Sequence, residues 1–147
     1  AYAAAGCSVP LVLIGDADHA DEYSERLKQQ ATATPNVILT GFISGAPLHT
    51  LFSQAGLFVL PSYHEGLPIA LLEAMSWSLP VVVSDIPANL EIGLPPADYF
   101  PVGSVPALTQ KLQHWVAGQK ADYSQFMPKY RWPEIAAQTA QVYQRLT

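Results

Sequence analysis

Two short apolar runs with a helical segment between them constrain the fold of this chain more than any other feature. Residues 57–60 and 81–83 are continuously apolar and lack the alternation of a half-exposed strand. Such runs are typical of strands covered by helices on both faces, as in a parallel sheet. Leu71, Leu72 and Met75 between them are predicted to face the core. The stretch therefore predicts a strand, a loop, a helix and a second strand.

The same alternation runs through the rest of the chain. Further apolar runs lie at residues 11–14 and 37–40, and residues 99–102 fit an edge strand. The segments between and after them place apolar residues at helical spacing: Tyr23, Leu27 and Ala31; Leu48, Leu51, Phe52 and Ala55; Leu108, Leu112, Trp115 and Val116; Ala136, Val142, Tyr143 and Leu146, in a last helix with Pro133 near its first position. This order predicts an α/β fold, a Rossmann-like parallel sheet flanked by helices with right-handed crossovers.

Composition narrows the class of protein. The 147 residues suit one domain with one core, and half of them are apolar while only 13% are charged. The net charge of −5 argues against a nucleic-acid partner. No apolar run approaches the roughly 20 residues that span a membrane. The single cysteine, Cys7, excludes an internal disulfide and a site built from several thiolates.

The loop at residues 65–67 is predicted to open a helix at the end of a strand. Pro68 suits the first helical position, where its missing N–H would be unpaired in any case. In a parallel α/β sheet, ligands usually bind at the carboxyl ends of the strands. Free N–H groups of the first helical turn and the positive end of the helix dipole favour a phosphate group there.

Two carboxylates flank this helix start, eight residues apart. Glu65 lies in the loop, and Glu73 falls in the second turn of the predicted helix. Because an ionised carboxylate only accepts hydrogen bonds, its natural partners in a ligand are hydroxyl groups. A phosphate at the helix start together with hydroxyls at two carboxylates indicates a sugar nucleotide.

Each of these residues also has a plainer interpretation. Glu73 could act only on the helix dipole, and Glu65 could be a solvated loop acid. His64 reads as a loop residue rather than a base, because nothing in the sequence provides a partner for it.

The segment resembles the signature of the family 4 (group 1) retaining glycosyltransferases. The resemblance extends from about Leu11 to the end of the chain and rests on four runs in register: Pro61-Ser62, Glu65-Gly66-Leu67-Pro68, Glu73-Ala74-Met75 and Leu79-Pro80-Val81-Val82. Members have the GT-B fold, in which two Rossmann-like domains flank a cleft and the C-terminal domain holds the nucleotide-sugar donor. The resemblance implies that residues 1–147 are such a donor-binding domain.

The resemblance also implies roles for individual residues. Glu73 matches the glutamate that binds the ribose hydroxyls of the nucleotide. Glu65 matches the glutamate beside the donor sugar, where it orients the sugar and is not a covalent nucleophile. Gly66, Leu67, Pro68 and Ile69 match the backbone that meets the diphosphate and the sugar. Since Pro68 has no N–H, Leu67 and Ile69 are the expected donors.

Two turns earlier in the chain complete the predicted donor site. Gly15 follows the first strand, where the family's chain approaches the donor; alternatively, this is a plain turn with Asp16 or Asp18 as the helix cap. Gly41, Phe42 and Ile43 follow the second strand, where the family's backbone often contacts the base. For the Phe42 side chain, we expect ordinary core packing instead.

Charge and the first residues of the chain predict a piece of a longer enzyme. No Lys or Arg occurs from Gln29 to Gln110, although a diphosphate site usually has cations. In the resembling family, an Arg and a Lys follow the first strand of this domain. The chain begins without Met in what reads as a helix end closed by Gly6. We therefore expect the N-terminal domain and the first strand–helix unit to be missing, and the isolated chain to be inactive.

The implied activity of the full-length protein is sugar transfer, with retention, from a UDP-, GDP- or ADP-sugar to an acceptor hydroxyl, as in polysaccharide biosynthesis. The resemblance implies no metal and no cofactor. The acceptor, a glycan, a lipid-linked or a small molecule, would bind the missing domain. A cytoplasmic location is expected, with peripheral membrane association of the full enzyme. Two other classes fit this fold, namely a sugar-nucleotide epimerase and a non-catalytic nucleotide-sugar module.

Other sites are disfavoured by missing motifs. The sequence contains no Gly-x-Gly-x-x-Gly, no P-loop and no Gly-x-Ser-x-Gly elbow. A phospho-receiver would have an Asp after its third strand, where this chain has Pro61-Ser62. Paired carboxylates also occur in glycoside hydrolases, but the strand–loop–helix setting favours phosphate binding.

Overall fold

The computed structural model describes residues 1–17, 19–115 and 117–145, and the predicted alternation of strands and helices is confirmed there. The strands are β1 (Leu11–Leu13), β2 (Val37–Leu39), β3 (Phe58–Leu60), β4 (Val81–Ser84) and β5 (Tyr99–Phe100). The α-helices are α1 (Tyr2–Ala5), α2 (Glu22–Ala33), α3 (Ala46–Gln54), α4 (Ile69–Ser76), α5 (Pro87–Leu90), α6 (Val105–His114) and α7 (Trp132–Gln144). Short 3₁₀ turns lie at Pro96–Asp98 and Pro128–Tyr130.

All strand pairs are parallel, as predicted, but they form two groups. β1 pairs with β2 in the register Leu11 with Val37. β3 pairs with β4, and β4 pairs with the predicted edge strand β5. Alternation of strands and helices predicts parallel direction, whereas it does not specify which strands are hydrogen-bonded neighbours.

The chain forms two compact units. Ala1–Gln54 and Ser104–Val116 make up unit 1, which contains β1 and β2. Ala55–Gly103 and Ala117–Thr147 make up unit 2, which contains β3, β4 and β5. Each unit is described below by itself.

Unit 2 is built on a fully buried strand and the helix before it. Every residue of β4 is buried. Leu71 and Met75 of α4 are buried as predicted, while Leu72 is half-buried. The helix ends at Ser76, and Ser78 follows with a positive φ of 56°, which turns the chain back into β4. This packing places the start of α4 next to the carboxyl end of β3.

Unit 1 packs its predicted apolar faces less completely. In α2 only Ala31 of the predicted stripe is buried, and Tyr23 and Leu27 are exposed. In α3, Phe52 is buried, but the helix ends at Gln54, so Ala55 of the predicted stripe lies beyond it. Helical spacing of apolar residues shows that they lie on the same face of a helix. It does not show that another element covers that face.

The ends of several helices follow the sequence. Gly6 closes α1 with a φ of 67°, and Pro133 lies in the first turn of α7, both as predicted. The alternative that Asp16 caps α2 is wrong. Asp21 caps this helix instead, because its carboxylate accepts the Ser24 N–H while the Ser24 hydroxyl accepts the Asp21 N–H. Asp18, Val116 and Leu146, also named in the predictions, lie outside the described residues.

Candidate functional site

The start of α4 differs from the prediction by one residue. Pro68 is the N-cap rather than the first helical residue, because its ψ of 73° is not helical. With a φ of −76°, it forms an inverse γ-turn in which the Ile69 N–H donates to the Leu67 carbonyl at 2.8 Å. The Ile69 N–H, which the sequence offered as a donor to phosphate, is therefore already bonded within the turn.

Three neighbouring N–H groups are free instead. Within the described part of the chain, the amides of Gly66, Leu67 and Ala70 donate to no protein acceptor. All three residues are exposed. The next two amides, of Leu71 and Leu72, both donate to the Pro68 carbonyl. The amides of Gly66, Leu67 and Ala70 are therefore available to an oxyanion at this helix start, where the positive end of the α4 dipole also lies.

Glu65 is held on one side and open on the other. The Ser62 hydroxyl donates to Glu65 Oε1 at 2.7 Å, and both residues are half-buried. No other described residue donates to this carboxylate. Its second oxygen therefore keeps its capacity to accept a hydrogen bond from a ligand hydroxyl.

Glu73 lies in the second turn of α4, as predicted, and is exposed. Its carboxylate has no hydrogen-bond or ion-pair partner among residues 1–17, 19–115 and 117–145. A carboxylate this far along the helix lies past the first turn, where the dipole effect falls off. His64 is also exposed and belongs to the loop, as expected.

A buried polar cluster beneath the Glu65 loop was missed by the sequence analysis. The Ser84 hydroxyl donates to the Ser62 carbonyl at 2.6 Å, across the ends of β3 and β4. Asn89 Nδ2 donates to the Ser84 carbonyl at 2.9 Å and to Ser84 Oγ at 3.2 Å. Both Ser84 and Asn89 are fully buried. The available signal was a Ser at the end of an apolar strand and an Asn five residues after it.

The remaining predicted site residues belong to unit 1. Gly15 donates its N–H to the Gly41 carbonyl at 2.9 Å, so the turns after β1 and β2 are joined. Both glycines have positive φ, 117° and 65°. Ile43 is half-buried in the same turn. Phe42 is 81% exposed, so the expected core packing of its side chain is wrong; its ring is available for contact with a ligand.

The Lys28 ammonium group of unit 1 is paired with Asp16, the residue after Gly15. Lys28 Nζ lies 3.0 Å from Asp16 Oδ1, and the Ala17 N–H donates to the same oxygen at 2.8 Å. The Lys28 hydrogen bond, followed by the Ala17 bond, lowers the pKa of Asp16. Across the described residues, no three His, Cys, Asp or Glu side chains are grouped closely enough to hold a metal ion.

A sequence model of the family "Glycosyl transferases group 1" matches residues 2–123, which include both glycine turns, the α4 start and both carboxylates. The chain belongs to the group 1 glycosyltransferases.

Curated relatives agree with this membership in the group 1 family. An uncharacterised glycosyltransferase of Methanocaldococcus jannaschii is 32% identical in an alignment of 145 residues that covers 90% of this chain and 36% of the relative. A UDP-Gal:α-D-GlcNAc-diphosphoundecaprenol α-1,3-galactosyltransferase of Escherichia coli is 32% identical over 78 residues, 53% of this chain and 20% of the relative. The chain thus spans 36% or less of the length of these two relatives.

Solved structures show the fold of this group 1 chain. Sucrose-phosphate synthase from Thermosynechococcus elongatus matches with a TM-score of 0.77 at 23% identity, over 99% of this chain and 41% of that one. The catalytic domain of cholesterol-α-glucosyltransferase from Helicobacter pylori matches with a TM-score of 0.60 at 23% identity, over 77% and 72%. The predicted α/β fold of a GT-B enzyme, with parallel sheets flanked by helices, is confirmed. In the part of the chain that the structure describes, no helix is long and apolar enough to cross a membrane.

Proposed function

We propose that this chain carries the nucleotide-sugar donor site of a retaining glycosyltransferase, which transfers a sugar to an acceptor hydroxyl. The observation that carries the proposal is the set of free amides at Gly66, Leu67 and Ala70, with unpaired carboxylate oxygens at Glu65 and Glu73 on the same loop and helix. A sugar nucleotide offers both things that such a surface binds, namely phosphate oxygens and hydroxyl groups.

Each group has a distinct role in the proposed reaction. The free amides and the α4 dipole stabilise the negative charge that develops on the diphosphate as it leaves the sugar. Stabilisation of developing charge is usually the largest single contribution to catalysis. Glu65 orients the sugar hydroxyls through the oxygen that Ser62 leaves open. Glu73 binds the ribose hydroxyls. For unit 1, taken by itself, the proposed role of Gly15, Gly41, Phe42 and Ile43 is contact with the base of the nucleotide.

The proposal extends to the full-length protein. The donor is a UDP-, GDP- or ADP-sugar, and no metal or cofactor takes part. Residues outside this chain supply the acceptor site and further cations for the diphosphate, so the chain alone is inactive. We place the enzyme in the cytoplasm, at the membrane surface when its acceptor is lipid-linked.

The test is a binding and turnover experiment on the full-length protein. Titration with UDP, GDP and ADP identifies the base, and the matching labelled NDP-sugars report transfer. We expect Glu73→Gln to weaken nucleotide binding about 10- to 100-fold, consistent with the loss of a charged hydrogen-bonding group worth about 1.5–3 kcal/mol. Glu65→Gln should instead lower kcat while nucleotide affinity is retained.

The matched control is Glu91→Gln, which neutralises an exposed carboxylate of unit 2 outside the α4 start. It should change neither quantity. Equal nucleotide affinity in the wild type and Glu73→Gln would refute the ribose role. Turnover of the NDP-sugar into its epimer without acceptor would point to an epimerase, and binding without any turnover to a non-catalytic module.

A further inference from the structure

We infer that Asn89 and Ser84 act as positioning residues for Glu65, through Ser62, in the reaction proposed above. This inference rests on the proposed role of Glu65. It concerns buried side chains that reach the donor site only through a hydrogen-bonded chain.

The chain of hydrogen bonds begins at the side-chain amide of Asn89, whose nitrogen carries two N–H donors. Asn89 Nδ2 donates to both the carbonyl and the Oγ of Ser84, at 2.9 and 3.2 Å. Because the Ser84 carbonyl can only accept, the amide must present its nitrogen here. The Ser84 Oγ lone pair is thereby occupied, and the hydroxyl proton is directed away from Asn89.

The Ser84 hydroxyl proton points to the residues that follow β3. The Ser84 hydroxyl donates to the Ser62 carbonyl at 2.6 Å, which ties the loop after β3 to the end of β4. The Ser62 hydroxyl then donates to Glu65 Oε1 at 2.7 Å. Since a carbonyl and a carboxylate only accept, the direction of each of these two bonds is defined, and the two bonds are connected through the main chain and side chain of Ser62.

Asn89 is held in place from its main chain as well. The Tyr99 hydroxyl donates to the Asn89 carbonyl at 3.0 Å and accepts the Leu94 N–H at 3.0 Å. Burial raises the pKa of Tyr99, so its hydroxyl remains a donor at neutral pH. The amide that starts the chain of hydrogen bonds therefore sits on a fixed backbone.

Stability alone does not explain an Asn at this position. Asn89 Oδ1 is buried and accepts no hydrogen bond from the described residues. An unsatisfied buried oxygen is costly, and an apolar side chain of similar size would avoid that cost. The two bonds from Asn89 Nδ2 to Ser84 are what offsets this cost. Asn89 therefore orients the Ser84 hydroxyl, and through that hydroxyl it orients the loop that carries Glu65.

The structural consequence is a single preferred position for the Glu65 carboxylate. One oxygen is fixed by Ser62, so the other points to the same place each time a donor binds. A displacement of about 1 Å in such a group can cost as much as 100-fold in rate. Glu73 and the free amides at the α4 start lie outside this chain of hydrogen bonds, so nucleotide affinity should not depend on it.

The experiment uses the full-length protein and the variants Ser84→Ala and Ser62→Ala. Ser84→Ala deletes a single buried hydroxyl, and Ser62→Ala removes the direct donor to Glu65 from a half-buried loop. We expect each to lower kcat about 10-fold or more, with the nucleotide Kd unchanged within twofold. Ser76→Ala is the control matched to Ser62→Ala. The Ser76 hydroxyl donates a bond of 2.7 Å to the backbone carbonyl of Glu73, as long as the bond from Ser62 to Glu65. This control variant should leave kcat unchanged.

A double-mutant cycle separates positioning from a general structural effect. If Ser84 acts through Glu65, then Ser84→Ala should lower kcat in the wild type and have almost no further effect in a Glu65→Gln background. Asn89→Leu should behave in the same way where it folds, and the serine variants decide the question where it does not. Additive losses of Ser84→Ala and Glu65→Gln would overturn the inference.

Failure of the proposed function gives a different result. If Glu65→Gln alone left kcat at the wild-type value, the role of Glu65 would be wrong, whatever the serine variants did. If Glu65→Gln lowered kcat but Ser62→Ala and Ser84→Ala did not, Glu65 would keep its role and only the positioning by Asn89 and Ser84 would be wrong.

Discussion

β2 in unit 1 and β4 in unit 2 each contain three consecutive apolar residues and differ in burial. β4 is buried at all of its positions. β2 leaves Ile38 49% and Leu39 42% exposed. The comparison shows that an apolar run predicts a strand, but that its burial depends on which elements cover it. The predicted donor-site residues differ in the same way. Those of unit 2 lie at the start of a well-packed helix, and those of unit 1 lie in two glycine turns beside strands that are partly exposed.

The largest expected contrast is between two leucines, one in each unit. Leu71 of α4 is 0% exposed, and Leu27 of α2 is 40% exposed. Leu71→Ala should lower the free energy of unfolding by about 2–5 kcal/mol, because it removes a buried side chain and leaves a cavity. Leu27→Ala should cost about 1 kcal/mol or less. Urea unfolding followed by circular dichroism measures both, and similar losses would contradict the difference in packing.

The next effect should appear at alkaline pH, at Tyr123 of unit 2. The Tyr123 ring is 5% exposed, and its hydroxyl accepts the Val81 N–H at 3.2 Å. Burial, with a smaller contribution from the Asp98 charge, raises the pKa of Tyr123 to about 12. A group whose pKa is raised by folding contributes its full stabilisation below the unfolded value, near 10, and loses it as the pH rises toward 12.

A shift of this size corresponds to about 2–3 kcal/mol. The free energy of unfolding should fall by that amount between pH 10 and 12. Tyr123→Phe is less stable at neutral pH, since the Val81 N–H loses its acceptor, but its alkaline decline should be smaller than that of the wild type; the decline that remains belongs to groups such as Tyr99, whose pKa burial also raises. An equally steep decline in Tyr123→Phe would assign the effect to other groups.

A smaller effect is expected from backbone strain at a glycine of unit 1. Gly15 has a φ of 117°, whereas Gly66 of unit 2 has no positive φ, and open space surrounds the Cβ position at both. Gly15→Ala should therefore cost about 1–2 kcal/mol through backbone conformation alone. Gly66→Ala should leave the melting temperature within about 1–2 °C of the wild type. A marked loss in Gly66→Ala would show that this loop is more constrained than its φ indicates.

The smallest expected effect is an acid sensitivity of unit 1. The hydrogen bonds from Ser24, backbone first and then side chain, lower the pKa of Asp21, the N-cap of α2. This stabilisation is present above the unfolded value near 3.8 and is lost as the pH falls through the lower folded value. Amide exchange in α2 should therefore quicken below pH 4, and Asp21→Asn should reduce this pH dependence. Unchanged α2 protection down to pH 2 would contradict the capping role.

The sequence predicted the features of the fold that depend on neighbours in the chain. The four strands predicted between residues 11 and 83 all form parallel pairs, because a short apolar run between turn residues suits a buried strand. The position of Glu73 in the second turn of α4 was likewise predictable from Pro68. The Asp21 cap was missed because three aspartates precede α2, and each satisfies the same compositional rule.

Details of the candidate site were less predictable, because they depend on single torsions. A ψ of 73° at Pro68, rather than a helical value, turns the Ile69 N–H onto Leu67 and leaves Ala70 free. Composition allows both conformations of Pro68, since the ring restricts φ and not ψ. Phe42 was expected in the core for its size and is 81% exposed, because its side chain lies in a turn that the described elements leave uncovered.

By itself, the sequence determined that strands and helices alternate, that a helix begins after the Glu65 loop, and that two carboxylates flank its start. These follow from periodicity and spacing, which act between residues close in the chain. Only the tertiary structure decided which strands pair, which amides are free and which side chains lie under Glu65. The bond from Ser84 to Ser62 joins residues 22 positions apart. Such a contact requires two strand ends to be brought side by side by packing, and no local pattern in the sequence encodes it.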